Sequence, residues 1–290
     1  MKETLRLNRI IELLEQGKTV IGAGFNNFGI GDAIRVSRTD YDYCLWDMEH
    51  NDFDFTNLRT CLQFMLDRRQ ILERNSLQPK VTPIARITAD ASERNSWLYK
   101  LLLDAGVYGI MVPHLDTIDD LLSTVQACRY GCAPGEPKGH RGLSDNPHRY
   151  WGLGPEEYTQ RADLWPLNAE GELIIIPIIE SVKGLENLKS ILKDGGSRMI
   201  GCLTIGLGDL SVDMGYPWQM KHPEVQGAKR RFLEICREFD VPYGGALPDS
   251  GSKTDIETAI ADGYRFIGPD SNFNLNALAL TRKLAGRDKE

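Results

Sequence analysis

Two acids occupy comparable places along this chain: Glu180 closes the apolar run IIIPIIE, and Asp209 lies in the turn GLGDLS that follows another apolar run. Such runs read as buried strands, so both carboxylates emerge at the carboxyl ends of neighbouring strands, where hard oxygen donors can bridge a divalent cation. Other reactive side chains fall at equivalent points. Asp47-Met48-Glu49-His50 ends one strand-like run and Arg86 ends the next, while Pro113-His114, Gly206-Leu207-Gly208-Asp209 and Gly268-Pro269-Asp270 end three more. Together they offer metal ligands, a proton carrier and an anion clamp. Taken singly, each also has a structural reading. A carboxylate after a strand caps the next helix, His50 caps or packs, Arg86 pairs with an acid of the same fold, and His114 makes a turn. Spacing alone carries the chemistry as far as a metal-assisted reaction of a small anionic substrate. The Gly206-Leu207-Gly208 backbone is free either to approach a substrate carboxylate or to turn tightly. Neither GxGxxG nor a P-loop signature occurs, so dinucleotide and P-loop chemistry lack their motifs.

The elements that position these groups alternate. Short β-rich apolar runs cover residues 19–25, 42–47, 80–86, 108–113, 172–180, 199–206, 241–247 and 264–268. Helix-like segments follow them at 28–36, 54–66, 93–104, 118–128, 182–192, 223–239, 253–261 and 274–284. Strand–helix alternation repeated eight times predicts an α/β protein of the (β/α)8 TIM-barrel class, a single domain over residues 1–290. Several strands read as continuously apolar, as parallel strands covered on both faces do. Two features go beyond the simplest barrel: a leading helix at residues 4–16, and a Gly/Pro-rich connection from Arg129 to Gly171 between the fourth and fifth strands. A connection that long inside a compact domain suits a lid or a subunit contact.

Composition sets outer limits. With 290 residues, 41% of them hydrophobic, the chain can bury one large core, and a formal charge of −7 repels nucleic acid and anionic membrane surfaces. The basic pair Arg68-Arg69 and the basic triplet Lys229-Arg230-Arg231 lie in helix-like stretches and read as solvated faces. Six cysteines without CxxC spacing, several of them inside apolar runs, read as reduced thiols. Charges interrupt the apolar residues of the first helix-like segment, and no apolar run reaches the ~20 residues of a membrane span, so a cytoplasmic location is the expectation.

The segments YDYCLWDMEH, ARITAD, LLLDAGVYGIMVPHLDT, GHRGLS, IIPIIESVKGLENL and IGLGDLSVDMGYP, in that order, resemble the metal-dependent class II pyruvate aldolases of the HpcH/HpaI family, from about Leu5 to Leu284. The resemblance implies a hexameric (β/α)8 barrel that cleaves 4-hydroxy-2-oxoacids into pyruvate and an aldehyde. It implies that Glu180 and Asp209 hold Mg²⁺ or Mn²⁺ and that pyruvate chelates the metal through its keto and carboxylate oxygens. Arg86 would bind the keto or enolate oxygen, and the backbone of Gly206, Leu207, Gly208 and Asp209 the carboxylate. His50, oriented by Asp47, would handle the proton of the 4-hydroxyl, and Asp104 would act from a neighbouring subunit. Related members decarboxylate oxaloacetate, carry out macrophomate-type condensation or cleave hydroxyacyl-CoA thioesters, and a barrel without catalytic power is the reading from outside enzymology. Three departures stand out: Met48 replaces the glycine of DGEH, Leu207 the proline of GPADLS, and Ile178 a residue that is often polar. The aldehyde partner is expected to be chosen by side chains of the Arg129–Gly171 connection together with a neighbouring subunit, with Arg141 read either as an anion contact or as a structural residue.

Overall fold

The structure, a computed structural model, describes residues 6–24, 28–88, 90–270 and 273–288. Among these, nine parallel strands form one sheet: β1 (Val20–Gly24), β2 (Tyr43–Asp47), β3 (Thr82–Arg86), β4 (Gly109–Val112), β5 (Leu164–Trp165), β6 (Leu173–Ile179), β7 (Leu203–Ile205), β8 (Tyr243–Gly245) and β9 (Phe266–Asp270). Sequential neighbours pair from β1 to β4 and from β6 to β9, β1 pairs with β9, and a β4–β6 ladder closes the ring, so eight strands make the expected barrel. The two-residue β5 pairs with the start of β6 and lies outside the eight.

The continuously apolar strands are explained by two buried faces. Along β6, Ile174, Ile176 and Ile178 pack with Val20, Leu45, Ile84, Met111 and Phe266 in one cluster inside the barrel. Leu173, Ile175 and Ile179 join the larger cluster shared with helix residues such as Leu188 and Ile191. Side chains alternate along a strand, so this parity continues to its end and directs Glu180 inward. The same count places Asp47 with Tyr43 and Leu45, and Arg86 with Ile84.

The leading helix runs from Arg9 to Glu15, shorter than predicted; Thr4 and Leu5, like Phe25 at the end of the first predicted strand, lie outside the described residues. Asn8 starts the helix by accepting from the N–H groups of Ile10 and Ile11, while its own amide donates to the carbonyls of Tyr108 and Glu172. Ile10, Ile11, Leu13 and Leu14 pack onto the barrel-interior cluster, which makes this helix a cap on the barrel. The predicted strand at 199–206 narrows to Leu203–Ile205, because Met199 and Ile200 bond back to the carbonyl of Gly196 and Gly206 already begins a helix, Leu207–Asp213.

The Arg129–Gly171 connection is ordered on the barrel flank. It carries helices Pro147–Trp151 and Pro155–Arg161 and the strand β5. Buried Arg129 fastens it, donating to both oxygens of Asp163 at 2.6 and 2.9 Å and to the carbonyls of Pro134 and Pro137. Trp151 stacks on Tyr108 at 4.1 Å between ring centroids and donates its indole N–H to the carbonyl of Gly106. All six cysteines are free; Cys132 is exposed and the other five are buried. Among the described residues no helix is long and apolar enough to cross a membrane.

Candidate active site

A cavity of about 350 Å³ opens at the carboxyl ends of the strands. Its floor is apolar, from Leu45, Met111 and Ile178, and its polar wall is made by Asp47, Arg86, Glu180, Thr204 and Asp209. Strand register produces the central contact. Asp47 and Arg86 are directly paired positions of β2 and β3, and Arg86 donates Nε to Asp47 Oδ1 at 2.8 Å and Nη2 to Oδ2 at 2.6 Å. Its remaining nitrogen, Nη1, lies 2.8 Å from Glu49 Oε2 as an ion pair without hydrogen-bond alignment. Three carboxylate contacts fix the guanidinium plane, and a guanidinium has five N–H groups, so donors remain for a ligand.

The two strand-end acids sit differently. Glu180 is 4% exposed, and its Oε1 accepts from the backbone N–H of His114 at 2.9 Å. The side chain of Glu180 passes where a side chain at position 206 would stand: an added Cβ on Gly206 would come within 2.7 Å of Glu180 Cβ and closer still to Oε2. Gly206 is therefore required by the neighbouring carboxylate. Asp209, in the first turn of helix Leu207–Asp213, is exposed at the cavity wall. At Gly208 an added Cβ would meet nothing within 4 Å, so backbone and open space face each other there.

Electrostatics separate the acids further. Burial pushes the Glu180 carboxyl up to about 7; Glu49 and Asp209 add to the rise and the His114 N–H opposes it. Burial likewise raises Glu49 despite Arg86. Burial also acts to raise Asp47, but the hydrogen bonds and charge of Arg86 outweigh it and hold this carboxyl below its usual value. Glu180 and Asp209 line the same cavity, and an added cation would relieve the charge that Asp209 and Glu49 press on Glu180. Among the described residues no group of three or more His, Cys, Asp or Glu side chains is arranged as a metal cage.

Most predicted residues converge here: Asp47, Arg86, Gly206, Leu207, Gly208, Glu180 and Asp209 all line the cavity. His50 is not among the lining residues; its side chain is 64% exposed and its Nε2 lies 3.7 Å from Glu49 Oε2. Asp47 spends its oxygens on Arg86, the N–H of Glu49 and the amide of Asn51, so the acid nearest to the imidazole is Glu49. Asp104 lies elsewhere, buried and 3.4 Å from Arg141. Asp270 is structural, accepting from Tyr41, Ser250 and the N–H of Asn274. Met48 is buried in the core away from the cavity, which explains how a bulky residue stands in that motif, and Ile178 belongs to the apolar floor. No residue of the 129–171 connection lines this cavity. His114 makes the turn expected of it: its φ of +45° directs the N–H onto Glu180 and leaves ring Nε2 3.8 Å from the same oxygen.

Reactive side chains gathered at the carboxyl ends of a closed parallel barrel are the arrangement of (β/α)8 enzymes. The chain belongs to the HpcH/HpaI aldolase/citrate lyase family, whose profile matches residues 33–268. It is 28% identical over 274 residues to a 2-keto-3-deoxy-L-rhamnonate aldolase of Klebsiella pneumoniae, covering 94% of this chain and 90% of the relative. It is 26% identical over 261 residues to a hydroxypyruvate/pyruvate aldolase of Roseobacter denitrificans, covering 90% of each. A family protein from Burkholderia cenocepacia has the same fold, with a TM-score of 0.74 at 23% identity over 96% of this chain and 98% of that one. The chain is an aldolase or lyase of this family.

Proposed function

We propose that the chain is a divalent-metal-dependent carbon–carbon lyase that cleaves 4-hydroxy-2-oxoacids into pyruvate and an aldehyde, and forms them in reverse. One observation carries the reading: Arg86, Glu180 and Asp209, delivered by three different strand ends, line a single cavity with an apolar floor. The donor set fits Mg²⁺ or Mn²⁺, which bind hard oxygens and commonly take only one or two protein carboxylates. Glu180 fits such a role because its side chain has a space reserved by Gly206 and a charge that burial disfavours until a cation balances it. When bound, the cation supplies positive charge against which a 2-oxo group is polarised.

The remaining work falls to the chain's own groups. As the C3–C4 bond breaks, its electrons move into the C2–C3 bond and negative charge collects on the C2 oxygen; Arg86, held rigid by Asp47 and Glu49, presents its remaining N–H groups to that oxygen. The first N–H groups of helix Leu207–Asp213 lack intrahelical partners and receive the substrate carboxylate beside Gly208. Loss of the 4-hydroxyl proton releases the aldehyde, and His50, with Glu49 as the neighbouring acid, accepts it. C3 then takes a proton to become the methyl group of pyruvate. Asp104 stands outside this cavity, so its part in the reaction requires presentation to another copy, as in a homo-oligomer such as a hexamer.

Proton NMR of pyruvate in D₂O tests the proposal. Methyl-proton exchange is expected with enzyme and Mg²⁺, and its loss with EDTA or in Arg86→Ala. Absence of exchange in folded protein with Mg²⁺ present would overturn pyruvate as the enolate-forming half, and turnover of oxaloacetate or a hydroxyacyl-CoA by the same protein would replace it.

A further inference from the structure

The barrel mouth carries its charge on one arc only. Among the described residues the ionisable groups that line the cavity are Asp47, Arg86, Glu180 and Asp209, from the ends of β2, β3 and β6 and from the helix that follows β7. The remaining arc, from β8 through β9 to β1, contributes Gly245, Ala246, Leu247, Pro248, Gly268 and Gly24, and none of these side chains is polar. Leu207 and Met220 add two more apolar side chains to the lining. In the closed ring β8 is four strands from β3 in either direction, so Leu247 and Pro248, just past β8, stand across the mouth from Arg86. Leu247 also packs on the larger core cluster, which holds this wall in place. A cavity of about 350 Å³ is of the size that takes a drug-sized ligand, so a three-carbon acid leaves part of it open.

We infer that this arc receives the body of the second substrate and restricts it to uncharged aldehydes with an apolar chain, with Leu247, Pro248 and Met220 setting the preference; the inference rests on the aldolase reading proposed above. Charge decides against an anionic semialdehyde. Arg86 is the one cation of the described lining, and Asp47 and Glu49 already engage it. The three lining acids and the carboxylate of the 2-oxoacid outnumber the positive charge of Arg86 and a bound dication together, so a second substrate anion meets repulsion. Hydrogen bonding decides against a polyhydroxylated aldehyde. Asn51 and Thr204, the neutral polar side chains of the lining, donate to Asp47 and to the carbonyl of Pro177. Hydroxyls buried against Leu247, Pro248 and Met220 find no partner, whereas methylene groups leave water there.

Internal competition tests the inference, because two aldehydes in one tube report a ratio of kcat/KM values that does not depend on how much enzyme is active. Enzyme, Mg²⁺ and pyruvate receive equimolar butanal and succinate semialdehyde, which match in chain length and differ in a terminal methyl or carboxylate. Mass spectrometry counts the two 4-hydroxy-2-oxoacids formed. Butanal should lead by about tenfold or more. In companion mixtures butanal should lead glyceraldehyde, and pentanal should lead propanal, by similar factors, since a methylene packed in an apolar pocket is worth roughly 10–200-fold. Leu247→Lys puts a cation on the arc and should move the first ratio toward the semialdehyde by about tenfold or more. Should that variant fail to fold by circular dichroism, Met220→Lys makes the same test. A lead for the semialdehyde or glyceraldehyde in the wild type, or a ratio that the lysine leaves unmoved, would overturn the apolar arc. So would the absence of product from every aldehyde while pyruvate methyl exchange proceeds in D₂O, and in each of these cases the aldolase reading stands. Absence of the methyl exchange itself would remove that reading and the inference with it.

Discussion

At Gly206 one added methyl group competes with the side chain of Glu180 for the same space. Gly206→Ala is therefore expected to keep the fold but displace the carboxylate, lowering Mn²⁺ affinity by on the order of 10–100-fold, the usual effect of disturbing what orients a ligand; electron paramagnetic resonance titration of free Mn²⁺ measures it. Glu180 also predicts a pH dependence. Its carboxyl moves from an ordinary value of 4.5 to about 7 on folding, because burial disfavours the anion. Between those values the folded chain binds more protons than the unfolded one, so this contribution to stability is complete below about 4.5 and is lost as pH rises through 7. In EDTA, thermal unfolding of the wild type should fall more between pH 5 and pH 8 than that of Glu180→Gln, which has no such group. Parallel curves for the two proteins would refute that assignment of the shift. Arg86 illustrates the complementary case, a charge whose partners Asp47 and Glu49 hold it in place before any ligand arrives.

Elements act through register and parity. The β2–β3 register sets Asp47 opposite Arg86, and the two-residue period of β6 carries Ile174, Ile176 and Ile178 inward and so aims Glu180 at the mouth. A one-residue slip of β6 would turn Glu180 toward the helices, where a buried, unpaired carboxylate is costly. At the capped end, Asn8 begins the Arg9–Glu15 helix and joins it to β4 and β6 through the carbonyls of Tyr108 and Glu172. Asn8→Ala removes the cap and leaves buried groups unpaired, so a loss of about 2–3 kcal/mol is expected in urea unfolding. Because the cavity lies at the other end, its Mn²⁺ affinity should be unchanged in this variant.

On the scale of the whole molecule, the flank excursion is held in shape by an ion pair between its own first residue, Arg129, and Asp163 near its end, both of them buried. Arg129→Gln leaves the Asp163 carboxylate without its cation, a change that commonly costs about 3–5 kcal/mol. Limited proteolysis should then cut within residues 130–160. Mn²⁺ binding at the barrel mouth should survive, since no residue of the excursion lines that cavity. Loss of metal binding along with the excursion would mean that the two are coupled through the barrel wall or through a second copy of the chain.

What the sequence determined by itself was local. Alternation of apolar runs with helix-like segments specified the eight barrel strands, and the strand-end position of Glu180, Arg86, Asp47 and Asp209 specified the rim, because parity and chain direction are properties of a few consecutive residues. Family membership rested on the same short motifs. Only the tertiary structure decided which charge meets which. That Asp47 and Glu49 both serve Arg86, that the N–H of His114 serves Glu180 from 66 residues away, and that Asp104 meets Arg141 across 37 residues depends on register between strands and on chain crossings. Such pairings arise from closing a ring of strands. No local pattern encodes them, and the same geometry withdrew the 129–171 connection from the barrel mouth and gave it a cavity of its own.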